Sequence, residues 1–245
     1  MGSTVCGAVG GADDMELVAT VDPAGGSSSL DALSESSAEV AVDFTVAAAA
    51  VQNALWCAAH GIHCVIGTTG LSASDLDSLS AAFPADGPSG LGCVVAPNFA
   101  IGAVLMMHFA ALAAPWFETA EIIELHHDAK VDAPSGTAML TARRMTEASG
   151  TWGADPTRDE VVAGARGGLA SPGGIRVHAV RLRGQVAHQE VILGTAGQTL
   201  TIRHDSLDRE SFMPGVLLAV RAVGEQPGRP GLTVGLEALL GLGGV

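Results

Sequence analysis

The sequence predicts an α/β fold: a Rossmann-like parallel sheet, interrupted by an inserted α+β domain. Three observations predict it. In the first half, short apolar runs alternate with helical patterns of about 10–15 residues, as βαβ units require. After residue 115 that alternation stops, and three strand-like runs follow one another with no helix between them. Between the two regimes lies a polar line, Glu124-Leu-His-His-Asp-Ala-Lys-Val-Asp-Ala-Pro-Ser-Gly-Thr-Ala138, which fits neither pattern.

Taken in order, Glu16–Val21 reads as a strand ending at Asp22, and Glu39–Phe44 as a second. The alanine-rich run Ala47–His60 reads as a helix, because alanine has the highest helix propensity and Gly61 supplies the stop. His63–Gly67 is a strand, Asp75–Phe83 a helix, Leu91–Ala96 a strand and Ile101–Ala114 a helix. Ala120–His127 then leads into the polar line as a strand, and Gly136–Ala148 leaves it as a helix. Residues 149–175, rich in glycine, proline and aspartate, read as a long loop. Arg176–Leu182, Val186–Leu193 and Leu200–His204 form the second sheet, mostly antiparallel or mixed. The helix Arg209–Val223 and the apolar tail Leu232–Leu242 close the chain. The implied division is a dinucleotide-binding domain from residues 1–99 plus 212–245, with a substrate domain at 100–211 between them.

Bulk properties narrow the function. With 48% hydrophobic and 16% charged residues over 245 positions, the chain reads as an ordinary soluble protein with a sizeable core. A net charge of −14 argues against nucleic acid or an anionic membrane as partner. The four cysteines form no C-x-x-C pair, and no basic leader precedes an apolar run, so the thiols are expected to be reduced in a cytoplasmic protein. The longest apolar stretch, Val40–Ala59, is broken by Asp43, Gln52 and Asn53, so no membrane span is expected.

The chemistry concentrates in the polar line. Lys130 is the only lysine, the other basic residues being arginines. Lysine can give up a proton within reach of neutral pH and arginine cannot, which marks a chemical role. Side chains alternate along a strand, so His126 and His127 diverge unless the strand has ended. Ser135 is a good N-cap, with Gly136 and Thr137 opening the helix; amides at such a start, with the positive end of the dipole, seat a carboxylate or phosphate. Two other chemistries fit less well. A Ser135–Lys130 nucleophile pair lacks an oxyanion-hole signature. A metal at His126, His127 and Asp128 lacks chelating spacing, so none is expected.

In the first half, Gly67-Thr68-Thr69-Gly70 and Ala96-Pro97-Asn98-Phe99 follow strands, and ligands of open α/β sheets bind at the carboxyl ends of strands. Asp22 ends its strand as an acid does when it holds a ribose hydroxyl. Together these sketch a dinucleotide cleft. The phosphate-binding turn has two readings. Gly7-Ala-Val-Gly10-Gly11 is one, although no helix fits between it and Glu16. The other makes Ser3–Gly11 the helix after the turn, with Gly2 as the turn's last glycine.

The run ELHHDAKVDAPSGTA, with GTTG and APNFAIGAV upstream and VHAVRLRGQVAHQEVILG and TIRHDSLDR downstream, closely resembles the 4-hydroxy-tetrahydrodipicolinate reductase (dihydrodipicolinate reductase) family of lysine and diaminopimelate synthesis. The resemblance covers nearly the whole chain. It implies an NAD(P)H-dependent oxidoreductase, with His126 as the catalytic histidine and Lys130 as a second proton donor. His127 is implied as a substrate contact, and Gly136 with Thr137 as the grip on a substrate carboxylate. Gly67–Thr69 and Ala96–Phe99 are implied around the nicotinamide, Asp22 at the adenosine ribose, and a homotetramer through the second sheet. The departure is at the N-terminus, where the family's first strand and most of its glycine-rich loop have no counterpart and Met1-Gly2 matches the loop's last two residues. That raises a start placed at an internal methionine, or an N-terminally truncated, non-catalytic assembly subunit, as rival expectations. Asp22, with no lysine or arginine in residues 1–129, favours NADH over NADPH.

Overall fold

A computed structural model describes residues 1–22, 29–171, 173–225 and 228–242. Along the chain it places helix α1 (Gly2–Gly10), α2 (Asp31–Glu35), strand β1 (Val40–Asp43), α3 (Ala47–Ala59), β2 (His63–Ile66), α4 (Ala73–Ala82), β3 (Gly92–Val95) and α5 (Ile101–Ala113). There follow β4 (Thr119–His126), α6 (Gly136–Ala148), β5 (Leu169–Ala170), β6 (Arg176–Arg181), β7 (Ala187–Thr195), β8 (Gln198–Ser206), α7 (Met213–Gly224) and β9 (Gly231–Val234). These gather into two compact units: Met1–Ile101 with Arg209–Gly241, and Gly102–Asp208.

The first unit is built on a four-stranded parallel sheet in the order β1-β2-β3-β9. Its strands are short and apolar because both faces are covered, as all-parallel sheets require. Ile66, Leu79, Phe83 and Cys93 sit in its core, fully buried. The register pairs Asp43 with Ile66 and Ile66 with Val95, so three carboxyl ends stand level. Helix α4 begins at a reciprocal cap: the Ser72 hydroxyl accepts from the Asp75 amide at 3.2 Å, and the Ser72 amide donates to the Asp75 carboxylate at 2.7 Å.

Helix α7 approaches the Phe99 segment so closely that a Cβ on Gly215 falls 2.1 Å from the Phe99 carbonyl oxygen. Gly215→Ala adds helix propensity but drives a methyl into backbone. The expected net result is a loss of about 1–3 kcal/mol, the usual cost of overpacking, read as a lower denaturant midpoint at unchanged slope. A midpoint equal to or above wild type contradicts this packing.

The second unit is a five-stranded mixed sheet in the order β5-β6-β4-β7-β8. Only the β4–β6 pair is parallel. Residues alternate between its faces. Ile122, Val177, Val191 and Leu193 line one face and are fully buried, and α6 packs against β4 and β6. The opposite face carries Glu121, His178, Glu190, Arg203 and Asp205, tied by hydrogen bonds such as Arg203–Glu190 at 3.0 Å and His178–Glu121 at 2.6 Å.

Four expectations need correction. Glu16–Val21 joins no ladder among the described residues, and Leu17 and Val18 are exposed. A strand is held by its neighbour's hydrogen bonds and cross-strand contacts, and a short run of β-formers does not supply them itself. Asp22 therefore follows exposed irregular chain rather than ending a strand. The run Gly7–Gly11 is not a phosphate-binding turn: Gly7 and Gly10 are helical, and Gly11 is the C-cap of α1. The tail Leu232–Leu242 is not uniform, because Gly231–Val234 forms β9 beside β3. The strands β5 and β9 and the five-residue helix α2 are too short for a periodic pattern to reveal.

Candidate active site

In the second unit, β4 carries Glu124 and His126 two residues apart, hence on the same face. Glu124 is completely buried. Its Oε2 lies 2.5 Å from His126 Nδ1, and its Oε1 accepts from the Ser135 amide at 3.0 Å. The β4–β6 register sets Arg181 beside His126. The Arg181 guanidinium closes on both carboxylate oxygens, at 2.8 Å and 2.9 Å. It also donates to the Asp132 carbonyl at 2.6 Å, tying the Lys130–Asp132 turn to the sheet.

Electrostatics follow from this packing. Burial pushes the Glu124 carboxyl up, but the Arg181 guanidinium, the His126 imidazole and the Ser135 amide outweigh it and hold it below the usual range. Burial lowers His126 and outweighs the opposing pull of Glu124, while Lys130 and Arg181 push the same way as burial. His126 is therefore a neutral imidazole near pH 7.

The strand ends at His126, so His127 opens the following turn and is exposed, whereas His126 stays half-buried. The Lys130 amide closes that turn on the His127 carbonyl at 3.2 Å, and its ammonium donates to both Asp132 oxygens at 2.7 Å and 2.8 Å. Ser135 caps α6, its hydroxyl accepting from the Ala138 amide at 3.2 Å. With Lys130 on Asp132 and Ser135 in the cap, no Ser–Lys nucleophile pair forms. The Ser135 amide is committed to Glu124, so an anion at this helix start would meet Gly136 and Thr137 first. Gly136 is exposed, with open space where a Cβ would point.

In the first unit, the segments after β2 and β3 lie side by side: the Gly67 amide donates to Asp43 at 2.8 Å, and the Ala96 amide to Ile66 at 3.0 Å. A Cβ on Gly67 would overlap the Phe44 ring, and that ring packs against Phe99 at 5.7 Å between centroids. Asn98 forms a turn, its Oδ1 accepting from the Ala100 amide at 2.9 Å. Ala96 and Phe99 are buried, while Pro97 and Thr69 are exposed. The Thr68 hydroxyl is buried with no partner among the described residues. The structure thus groups Gly67–Thr69 with Ala96–Phe99 and sets Asp22 in exposed chain next to residues 23–28, which lie outside the described residues.

Sequence reasoning missed Glu124 and Arg181. Glu124 did leave a signal: a second glutamate in a short strand-like run, on the face of the histidine two positions on. Arg181 left none, because its partner lies 57 residues away.

Two family models match the chain, the N-terminal part of dihydrodipicolinate reductase over residues 1–99 and its C-terminal part over 102–240. Curated relatives named 4-hydroxy-tetrahydrodipicolinate reductase include one from Cutibacterium acnes, 53% identical over 99% of this chain and 95% of its own. The Nocardia farcinica relative is 52% identical over the same shares. Among solved structures, a dipicolinate-bound dihydrodipicolinate reductase from Paenisporosarcina sp. TG-14 superposes with a TM-score of 0.84 at 38% identity, covering 97% of this chain and 94% of that one. GenD2 from gentamicin A biosynthesis, in complex with NAD, shares the fold alone, with a TM-score of 0.58 at 14% identity over 90% of this chain and 82% of its own.

Proposed function

The chain belongs to the dihydrodipicolinate reductase family, and from that premise we infer its function: it reduces 4-hydroxy-tetrahydrodipicolinate, by way of dihydrodipicolinate, to tetrahydrodipicolinate with NAD(P)H. Relatives named as that reductase match it over about its full length, which leaves the rival reading as a non-catalytic assembly subunit without support. The observation that carries the reading is the Glu124–Thr137 segment, which sets a histidine, the sole lysine and an exposed helix start within fourteen residues of sequence.

The nicotinamide, when bound, supplies a hydride to the conjugated ring; the rest is the work of side chains. Negative charge moves toward the ring nitrogen as the hydride arrives, so a proton must be delivered there. His126 is neutral, so its imidazole is the group that accepts and relays, with Lys130 as the donor beside it in the chain. Gly136 and Thr137, at the positive end of α6, hold a substrate carboxylate and so fix the ring. The exposed His127 contacts the substrate's other end.

Gly67–Thr69 and Ala96–Phe99 hold the nicotinamide part of the cofactor, and residues 1–99 with 212–245 form its domain. The buried, unpartnered Thr68 hydroxyl suits that ligand, since burying a polar group without a partner is costly until a bound group takes it. Asp22 takes the adenosine ribose. Its carboxylate, with no lysine or arginine in residues 1–129, repels a 2′-phosphate, so NADH is the preferred cofactor. Residues 100–211 hold the substrate and, through the polar outer face of their sheet, assemble a homotetramer. No helix of the described residues is long and apolar enough to cross a membrane. The proposed setting of the chain is the cytoplasm.

Oxidation of NADH at 340 nm with 4-hydroxy-tetrahydrodipicolinate is the direct test. Turnover with a higher kcat/KM for NADH than for NADPH is expected. No turnover with either cofactor overturns the reaction, and parity with NADPH overturns the preference alone.

A further inference from the structure

The catalytic assignments above leave the most buried charge of the second unit unused. Glu124 is fully shielded from solvent, on the face of β4 that also carries the buried Ile122 and the half-buried His126. Burying a carboxylate costs several kcal/mol unless its oxygens are paired. Here every near neighbour is a donor. Two come from Arg181 at 2.8 Å and 2.9 Å, one is the Ser135 amide at 3.0 Å, and the fourth is His126 Nδ1 at 2.5 Å.

A structural ion pair needs only the first two. The third and fourth contacts reach the imidazole and the residue that caps α6, the helix whose first residues, Gly136 and Thr137, form the anion seat. An ionised carboxylate only accepts hydrogen bonds. The His126 nitrogen facing it must therefore carry a proton, and in a neutral imidazole the other nitrogen must then be bare.

We propose that Glu124 is a positioning residue, held as an anion by Arg181, which fixes His126 as the Nδ1–H tautomer with Nε2 presented as a lone pair and registers that ring against the carboxylate seat of α6. The step it sets up is a proton transfer: Nε2 takes a proton from a neighbouring donor and passes it on, while Nδ1–H stays on Glu124. In the opposite tautomer Nε2 carries hydrogen and can accept nothing. The role of Arg181 follows. Without its charge the buried Glu124 would become protonated, could itself donate, and would no longer dictate which ring nitrogen holds hydrogen.

The proposal rests on the reductase reading only for its catalytic consequence; the tautomer itself does not depend on it. Nitrogen-15 NMR of the folded wild-type protein, with His126 assigned through a His126→Gln control, tests it first. A protonated Nδ1 and a bare Nε2 at neutral pH are expected. A protonated Nε2 overturns the proposal whatever the enzyme's substrate.

The second arm is Glu124→Gln, an isostere whose amide can point a donor at Nδ1. Turnover is expected to fall about 100-fold, the lower range for losing general acid–base help, with KM changed less than about threefold. The ring is expected to switch to the Nε2–H form. Unchanged kcat, or lost kcat with the original tautomer kept, refutes the positioning role. If that variant does not fold, the wild-type spectrum still decides. Inactive wild-type protein showing the expected tautomer sinks the reductase reading and leaves this one standing.

Discussion

Lys130→Met lowers kcat/KM by about 10³-fold, within the range for removing a positioned acid that also orients its substrate. The residue is the only lysine of the chain, and its ammonium is anchored on both oxygens of Asp132 at 2.7 Å and 2.8 Å. That anchor holds the group in a fixed place and costs little in stability, since the Asp132 side chain is more than half exposed and such ion pairs contribute about 0–1 kcal/mol. The loss therefore appears in turnover and not in folding. Lys130→Arg separates charge from chemistry. A guanidinium can reach Asp132 and bind a carboxylate, but it does not release a proton near neutrality. Its KM stays near wild type while kcat falls nearly as far as in the methionine variant. Steady-state kinetics of both variants decide the matter, and a Lys130→Arg enzyme with wild-type kcat removes proton donation from this residue.

The largest stability effect is expected at Arg181. Arg181→Met strips the counter-charge from a fully buried Glu124 and leaves its carboxylate with His126 and the Ser135 amide. Breaking a buried pair from one side costs about 3–5 kcal/mol. The lower end applies, because a fifth of the Arg181 side chain remains exposed. The pH dependence has a definite sign. In the wild type Glu124 sits below its ordinary value of 4.5, so its pairing stabilises the fold above that pH and is lost as pH falls. In the variant only the His126 and Ser135 contacts oppose burial, and the folded-state value moves up. The variant's deficit is then small in acid and widens as pH rises through the range where the buried acid must ionise. Urea unfolding from pH 4 to pH 8 measures this, and a deficit independent of pH contradicts an ionised Glu124. The double replacement Glu124→Met/Arg181→Met removes both charges and recovers most of the stability while turnover stays low.

The fold was legible in the sequence wherever a pattern ran long enough to repeat. The Ala47–Ala59 and Gly136–Ala148 helices and the β4, β6, β7 and β8 strands all lie close to where periodicity and glycine stops put them. The run at Glu16–Val21 misled because propensity alone was read, and propensity cannot report whether a neighbour is there to complete a ladder. Strand β9 was hidden in a glycine-rich apolar tail, where four residues carry no period. The candidate site divides in the same way. Lys130 stood out by rarity, Ser135–Thr137 by helix-start chemistry, and the two histidines by their place at a strand end. Arg181 was one arginine among eleven, and only the parallel pairing of β4 with β6 sets it on Glu124. Local sequence records which groups are available, while pairing across the sheet decides which of them meet.

The parallel pairing of β4 and β6 also sets the order in which a newly made chain gains its chemistry. Helix α6 and the Lys130 turn are local and form early from neighbouring residues. The imidazole comes under control only when Arg181, 57 residues beyond Glu124, closes beside it on β6. If His126 and Glu124 act as proposed, a half-folded second unit already holding its helix and its lysine is expected to be catalytically silent. On the proposed reading, competence is expected only with closure of the sheet.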